Sequence, residues 1–406
     1  MTISTGTTRT TERRVHHAGF GVLLLLTMAA STFAMTAFSV LSHWLLDAFD
    51  LRRWQLGTLI TATAIVGALF SPLMGRVSDR VGGRRALQIT LALSALVLAG
   101  IAVSHVFLVL MATALAAGLA QAGANPATNK LIAVHVPAGR QGTATGIKQS
   151  GVQAGVLLGG SLLPLGATSI GWRPTLLIAA TIPALGLLAS RLAVPADTAG
   201  TVEPDRTVAP ARSPFLLRLA LYGFLIGAGW SAIFTYLPDY AQTSLGWSPT
   251  TAGLLVSVSG AFGVAGRIGW SWLAEHRLGA AVTLMTLAGI GGGAVLCLLV
   301  SQPVPAVAWA AAAAFGASSG AWNAVGMFAI VNRMPSAAAG AASGFVMLGF
   351  LVGLGVGAPP FGWSIDVTGS YVIGLMTVLA LHVAALWMAA TLRHAPVGPQ
   401  TDVVHR

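Results

Sequence analysis

The chain has 406 residues, of which 55% are hydrophobic and only 8% charged. Soluble domains carry roughly 25% charged residues, and a mean hydropathy of +0.79 over this length excludes a single globular core and calls for repeated membrane spans. The net charge of +11 does not imply nucleic acid, because the arginines sit in short gaps between apolar runs; the single cysteine, Cys297, excludes an intrachain disulfide and a cysteine metal cluster.

Residues 1–17 form a polar tail with Arg9, Arg13 and Arg14 ahead of the first apolar run. A signal peptide over residues 13–40 is the rival reading; the length of the run and the spans behind it favour a true membrane span. A hydrocarbon layer of about 30 Å needs about 20 apolar residues in a helix. Twelve stretches meet that need: 18–44, 55–75, 86–104, 106–133, 143–166, 174–193, 215–238, 250–272, 279–300, 304–331, 338–361 and 371–392. Lipid offers backbone groups no hydrogen-bond partner, so each must be helical. Residues 194–214, rich in Pro, Thr and charge, read as a flexible linker between an N-terminal bundle (18–193) and a C-terminal bundle (215–392), with a further tail at 393–406.

Orientation follows from the arginines. With the N-terminus in the cytoplasm, sixteen arginines fall on the cytoplasmic side and only Arg52, Arg53 and Arg173 on the other. This places both tails and the linker in the cytoplasm, in a plasma or inner membrane.

The two halves repeat. Shifting Gly118–Gly159 by 198 residues lays it without a gap on Gly316–Gly357, with Asn125 on Asn323, Pro137 on Pro335, and Gly151, Gly155 and Gly159 on Gly349, Gly353 and Gly357. Near the second span the shift is 196, with Asp79 on Glu275 and Gly83 on Gly279. The expected fold is therefore all-α, with twelve transmembrane helices in two pseudo-symmetric six-helix bundles. Paired repeats of this kind mark secondary transporters, which bind substrate between the repeats.

Between spans two and three the chain reads Gly75-Arg-Val-Ser-Asp79-Arg80-Val-Gly82-Gly-Arg84-Arg85, and a degenerate copy between spans eight and nine holds Glu275, Arg277 and Gly279. Glycines permit a sharp turn there, and Asp79 lies among arginines with which it can form charge-assisted bonds. The loop resembles the signature G-x-x-x-D-R-x-G-R-R/K of the major facilitator superfamily, and the likeness extends from about residue 18 to 392. The resemblance implies that Gly75, Asp79, Arg80, Gly82, Arg84, Arg85, Glu275 and Arg277 form a cytoplasmic gate; the alternative is that the arginines only set topology. It also implies a working monomer without a cofactor. The Gly-Pro pair of the family's antiporters is replaced in span five by Gly159-Gly160, with the proline at 164, so antiport does not follow.

Three cations lie inside apolar spans: Lys130, Lys148 and Arg267. Such charges are costly in hydrocarbon and usually face a wet cavity. The two lysines, the only ones in the chain, sit on the two arms of one hairpin, each roughly 10 Å into the layer; they either share an anion or snorkel to the headgroups. Arg267 resembles the span-eight arginine that binds substrate carboxylate in the monocarboxylate and oxalate–formate branches; pairing with Glu275 is the other reading. Gln121, Asn125 and Asn323 are placed to hydrogen-bond substrate, with a structural bond between the two asparagines as the alternative. Trp230 and Tyr236 line the pocket or face lipid. Asp239 and His43 are weaker candidates for proton coupling.

None of the eleven acids falls mid-span. Exporters of cationic drugs need an embedded carboxylate to attract the cation, whereas embedded cations favour an anion by Coulomb attraction. The expectation is a secondary transporter of a small organic anion, partnered by the lipid bilayer and by a coupling proton or counter-anion, on the side of the superfamily that resembles cyanate and monocarboxylate carriers. The alternative is a multidrug or metabolite exporter. No metal-ligand spacing, phosphate loop or nucleophile triad points to an enzyme.

Overall fold

The structure is a computed structural model that describes residues 17–137, 140–194, 213–334 and 336–393. Most of the expected tails and linker, with Pro335, lie outside these residues. Among the described residues twelve segments are helical, long enough and apolar enough to cross a membrane. The first half holds α1 (His17–Val40), α2 (Ser42–Ala48), α3 (Arg53–Val81), α4 (Gly83–Val103), α5 (Phe107–His135), α6 (Gln141–Ile170) and α7 (Trp172–Ala193). The second half holds α8 (Pro214–Ser244), α9 (Pro249–Leu273), α10 (Ala280–Leu299), α11 (Val307–Ser318), α12 (Trp322–Arg333), α13 (Ser336–Thr368) and α14 (Val372–Leu392).

The helices run past the apolar stretches read from the sequence. The 33 residues of α13 span about 50 Å at 1.5 Å per residue, so its ends leave the hydrocarbon layer. The expected first span stops at Val40 and turns into the short α2. Span ten differs most: the expected continuous helix is broken between Ser318 and Trp322. Its repeat counterpart in α5 runs straight through. Helix propensity does not account for the difference: the second half has Gly320 where α5 has Ala122, but α5 has Gly123 and Pro126 where the second half has Ala321 and Ala324.

The repeated glycines make the same joint twice. Gly151, Gly155 and Gly159 of α6 lie against α1, and Gly349, Gly353 and Gly357 of α13 lie against α8. A Cβ on Gly159 would stand 2.7 Å from Thr36, and one on Gly353 would run into the Phe224 carbonyl. Only small residues let helices approach this closely in a membrane. The turns repeat too: Gly171 and Gly369, 198 residues apart, both adopt positive φ (92° and 67°), a conformation glycine takes without steric penalty.

Between the halves, α3 packs on α13 and α6 on α9. At the end of the molecule that carries Arg53 these crossings are tight. Gly57 is pressed against Ala358 and Pro359, Gly362 against Arg53, and Gly160 and Gly253 against each other's helices. Toward the end that carries Asp79, α3, α6 and α13 present Gly75, Gly146 and Gly344 on the same faces, and a Cβ on any of them would meet nothing within 4 Å. The halves are drawn together at the Arg53 end and splayed at the Asp79 end.

Candidate functional site

Near the middle of the helices, between the two halves, lies a cavity of about 100 Å³. It sits on the internal pseudo-symmetry. Thr32 and Trp230, Thr36 and Phe234, Gln121 and Ser319, Val152 and Phe350, and Val156 and Leu354 all line it, and each pair is separated by the same 198 residues. The repeat thus supplies the frame of the cavity, and substitutions within the pairs supply its chemistry. The first half contributes two threonines and two valines where the second contributes aromatic and bulky groups. Trp230 and Phe234 stack with centroids 4.4 Å apart, and Trp322 packs on Phe350 at 5.2 Å. One wall is therefore aromatic.

Arg267 lines this cavity and has no repeat equivalent there. Its Nε donates to the Gly320 carbonyl at 3.1 Å, and an Nη donates to the Gln149 carbonyl of the first half at 3.2 Å. The break in span ten explains the first bond. A helix end leaves carbonyls without intrahelical partners; α9 takes up two of them, since Trp270 Nε1 also donates to the Ala317 carbonyl at 2.9 Å. Arg267 thus bonds two neutral carbonyls and, among the described residues, no carboxylate. Glu275, the partner considered from the sequence, is exposed and lies near His276 instead. Among the described residues no acid lines the cavity. The same break starts α12 at Trp322 and Asn323, which both line the cavity, so a helix N-terminus adds partial positive charge. Gln121 Oε1 is buried without a partner among the described residues, and an amide can present either its oxygen or its NH₂ to an occupant. The result is a small electropositive chamber with one aromatic wall.

The other residues singled out in the sequence lie elsewhere. Lys148 is 1% exposed and neither snorkels nor meets Lys130. Its ammonium donates to Asn125 Oδ1 at 3.1 Å, to Thr128 Oγ1 at 3.2 Å and to Asn129 Oδ1. Three acceptors match three donors, all between α5 and α6. Asn125 and Asn323 therefore serve different ends despite their equivalence: one holds Lys148 and the other lines the cavity. Lys130 reaches the signature loop, donating to the Asp79 carbonyl at 2.9 Å and standing 3.6 Å from its carboxylate. Asp79 itself is 65% exposed. Arg84 donates to the Arg191 carbonyl at 2.9 Å, within the first half. Arg80, Arg85, Glu275 and Arg277 are exposed, and Gly82 caps α3 at φ 88°.

Tyr236 belongs to the closed end. Its hydroxyl donates to the Arg53 carbonyl at 2.6 Å and its ring stacks on Phe361 at 5.3 Å. Around it a network joins the halves. Arg53 Nε meets Asp239 Oδ2 at 2.6 Å, and the Tyr371 hydroxyl donates to the same oxygen at 2.5 Å. Asp366 accepts from the Arg53 and Trp54 amides at 3.1 and 3.0 Å, so α13 caps the first turn of α3. Asp239 is thus paired with Arg53, not solvated.

Arg53, Ser319 and Gln153 are not among the site residues that the sequence singles out. Arg53 had a signal, as one of three arginines against the charge trend. Ser319 had one as the repeat partner of Gln121. Gln153 is 5% exposed and wedged against Gly263 of the other half; its repeat equivalent is Leu351, so no polar pairing marked it.

Comparison with known proteins converges on one family. The family model described as Major Facilitator Superfamily matches residues 23–358. The chain is 29% identical over 374 residues to "Probable nitrate/nitrite transporter NarK2" of Mycobacterium tuberculosis, covering 87% of this chain and 91% of that protein. It is 28% identical over 260 residues to Monocarboxylate transporter 13 of Rattus norvegicus; that match covers 63% of this chain and 60% of the length of the rat protein. It is 26% identical over 373 residues to the gentisate transporter of Corynebacterium glutamicum, covering 82% and 80%. Among solved structures, a bacterial homologue of the human lysosomal transporter Spinster, in an inward-facing and occupied conformation, superposes with a TM-score of 0.75 at 17% identity, covering 94% of this chain and 97% of that one. The twelve-span fold, the repeated halves and the signature loop agree with these matches: the chain belongs to the Major Facilitator Superfamily of membrane transporters.

Proposed function

We propose that the protein is a secondary active transporter that carries a small organic anion by alternating access. The carboxylate would sit on Arg267, helped by Gln121, Asn323 and the first turn of α12, with the apolar body against Trp230, Phe234, Trp322 and Phe350. One observation carries this reading: a guanidinium lines a central cavity that contains no acid among the described residues. A charged group so placed needs a counter-charge, and an anionic cargo supplies it. The relatives named for nitrate/nitrite, monocarboxylate and gentisate transport all handle anions, which supports the class. The aromatic wall favours a carboxylate with a planar or apolar body over a bare inorganic ion.

The arginine bias puts the Asp79 end in the cytoplasm, with both termini there, in a plasma or inner membrane. On that orientation the structure is inward-facing. The Arg53–Asp239–Tyr371 network is the outer gate in its closed state; the Asp79 cluster is the inner gate in its released state, with Glu275 and Arg277 as its second-half counterpart. A proton or a counter-anion drives the cycle, and the protein works as a monomer. Export of cationic drugs is disfavoured because the cavity offers, among the described residues, no carboxylate to attract them.

Uptake of radiolabelled lactate, benzoate and nitrate into proteoliposomes tests the proposal. Saturable uptake of a carboxylate, lost in Arg267→Ala, is the expected result. Transport of lipophilic cations without any anion uptake would overturn it.

A further inference from the structure

Behind the cavity wall stands His382 of α14, 1% exposed. It fills a slot cut by glycines. A Cβ on Gly291 of α10 would lie 2.7 Å from its Nε2, and one on Gly229 of α8 would lie 2.8 Å from its Cε1. Phe315 of α11 covers it at 5.9 Å. Two hydrogen bonds fix the ring: Nδ1 to the Val378 carbonyl at 2.9 Å, and Nε2 to Ser319 Oγ at 3.0 Å. Ser319 lies in the break of span ten and lines the cavity beside Gly320, which accepts from Arg267.

The two bonds determine the tautomer. A backbone carbonyl only accepts, so Nδ1 carries a hydrogen. In the neutral ring Nε2 is then an acceptor, and the single hydroxyl hydrogen of Ser319 is spent on it. If Nε2 takes up a proton, the bond reverses: Nε2–H donates, Ser319 Oγ accepts, and its hydrogen is released toward the cavity. The groups facing His382 from α8, α10, α11 and the break are Gly229, Gly291, Gly292, Phe315 and Ser319, none of which titrates. The next charge along these contacts is Arg267, which donates to the carbonyl of Gly320, one residue beyond Ser319.

We propose that Ser319 and His382 form a proton-dependent hydrogen-bond donor in the cavity wall, which couples one proton to the anion held by Arg267. This rests on the anion reading above. The anion gains an O–H donor and a nearby positive charge when the proton is bound. By linkage the proton gains as much from the anion, so the two travel together and the protein is a proton–anion symporter. Ser319 and His382 act as positioning and coupling residues; Arg267 remains the group that touches the cargo.

The intrinsic fluorescence of Trp230 and Trp322, both on the cavity wall, reports occupancy in the purified full-length protein. Lactate and benzoate, which stay ionised throughout, are titrated from about pH 6 to about pH 8, across the ordinary range of histidine. The apparent Kd of the wild type should rise about tenfold as pH rises, as expected for one linked proton. An indicator dye in weakly buffered solution should show proton uptake on anion addition. His382→Gln should flatten the profile to about twofold or less; Ser319→Ala, which only removes the hydroxyl and leaves the packing, should do the same and covers a failure of the first variant to fold. A flat wild-type profile, or variants that keep the wild-type slope, overturns the coupling and leaves the anion reading standing. If the wild type binds neither anion at any pH, both fall together.

Discussion

Lys148 and Arg267 are both cations within membrane spans, yet their surroundings differ in kind. Lys148 is enclosed by one half of the molecule, and its three donors meet three neutral oxygens of α5. Arg267 stands between the halves, bonds carbonyls from both, and lines the cavity. Burial therefore does not identify a binding group. What separates them is whether the side chain's hydrogen-bonding capacity is spent inside one half or left at the seam between the halves. A guanidinium with five N–H donors can hold two carbonyls and still engage an anion; an ammonium with three bonded acceptors cannot.

That contrast can be broken most severely at Arg267. Arg267→Ala should lower kcat/KM for carboxylate uptake by at least about a hundredfold, since charge-assisted bonds are worth roughly 1.5–3 kcal/mol each. A smaller effect belongs to the proposed outer gate. Arg53→Gln leaves the Asp239 carboxylate, 3% exposed, without its cation. Removing one partner of a buried pair costs about 3–5 kcal/mol, and the 28% exposure of Arg53 reduces this to roughly 2 kcal/mol. The outward-open population should rise about thirtyfold, read as labelling of a cysteine placed in the cavity from the outer side. Next comes Lys148→Met. It leaves Asn125, Thr128 and Asn129 without their donor, at about 1–3 kcal/mol, so the thermal midpoint should fall by several degrees while the KM of the folded fraction stays within about twofold. The least effect is expected for Lys130→Ala. Its partner Asp79 is mostly exposed, and exposed pairs contribute at most about 1 kcal/mol.

The sequence carried the fold almost completely, because the signals that specify it are local and repeated. Apolar stretches of span length, a proline-rich linker and matching glycines each report on one segment at a time. Gly151, Gly155 and Gly159 were visible as a stripe, and their recurrence in α13 showed that the stripe was a joint. The break in span ten was not legible, since the equivalent region of α5 stays helical although it carries Gly123 and Pro126. Arg267, Gln121, Trp230 and Asn323 reach the cavity because position along a span predicts depth. Lys148, Asn125 and Tyr236 do not line it, because depth says nothing of which way a side chain faces or which neighbour claims it. The closed end was hidden for a related reason: Arg53, Asp239, Asp366 and Tyr371 come from four helices, and no spacing along the chain connects them.

The most direct test of the account compares Arg267→Gln with Lys148→Gln in one proteoliposome assay, with lactate and benzoate as cargo and uptake normalised to folded protein. The account predicts that Arg267→Gln abolishes saturable uptake whereas Lys148→Gln lowers the yield of folded protein but keeps uptake with a KM close to that of the wild type. Uptake that survives in Arg267→Gln and vanishes in folded Lys148→Gln would contradict it.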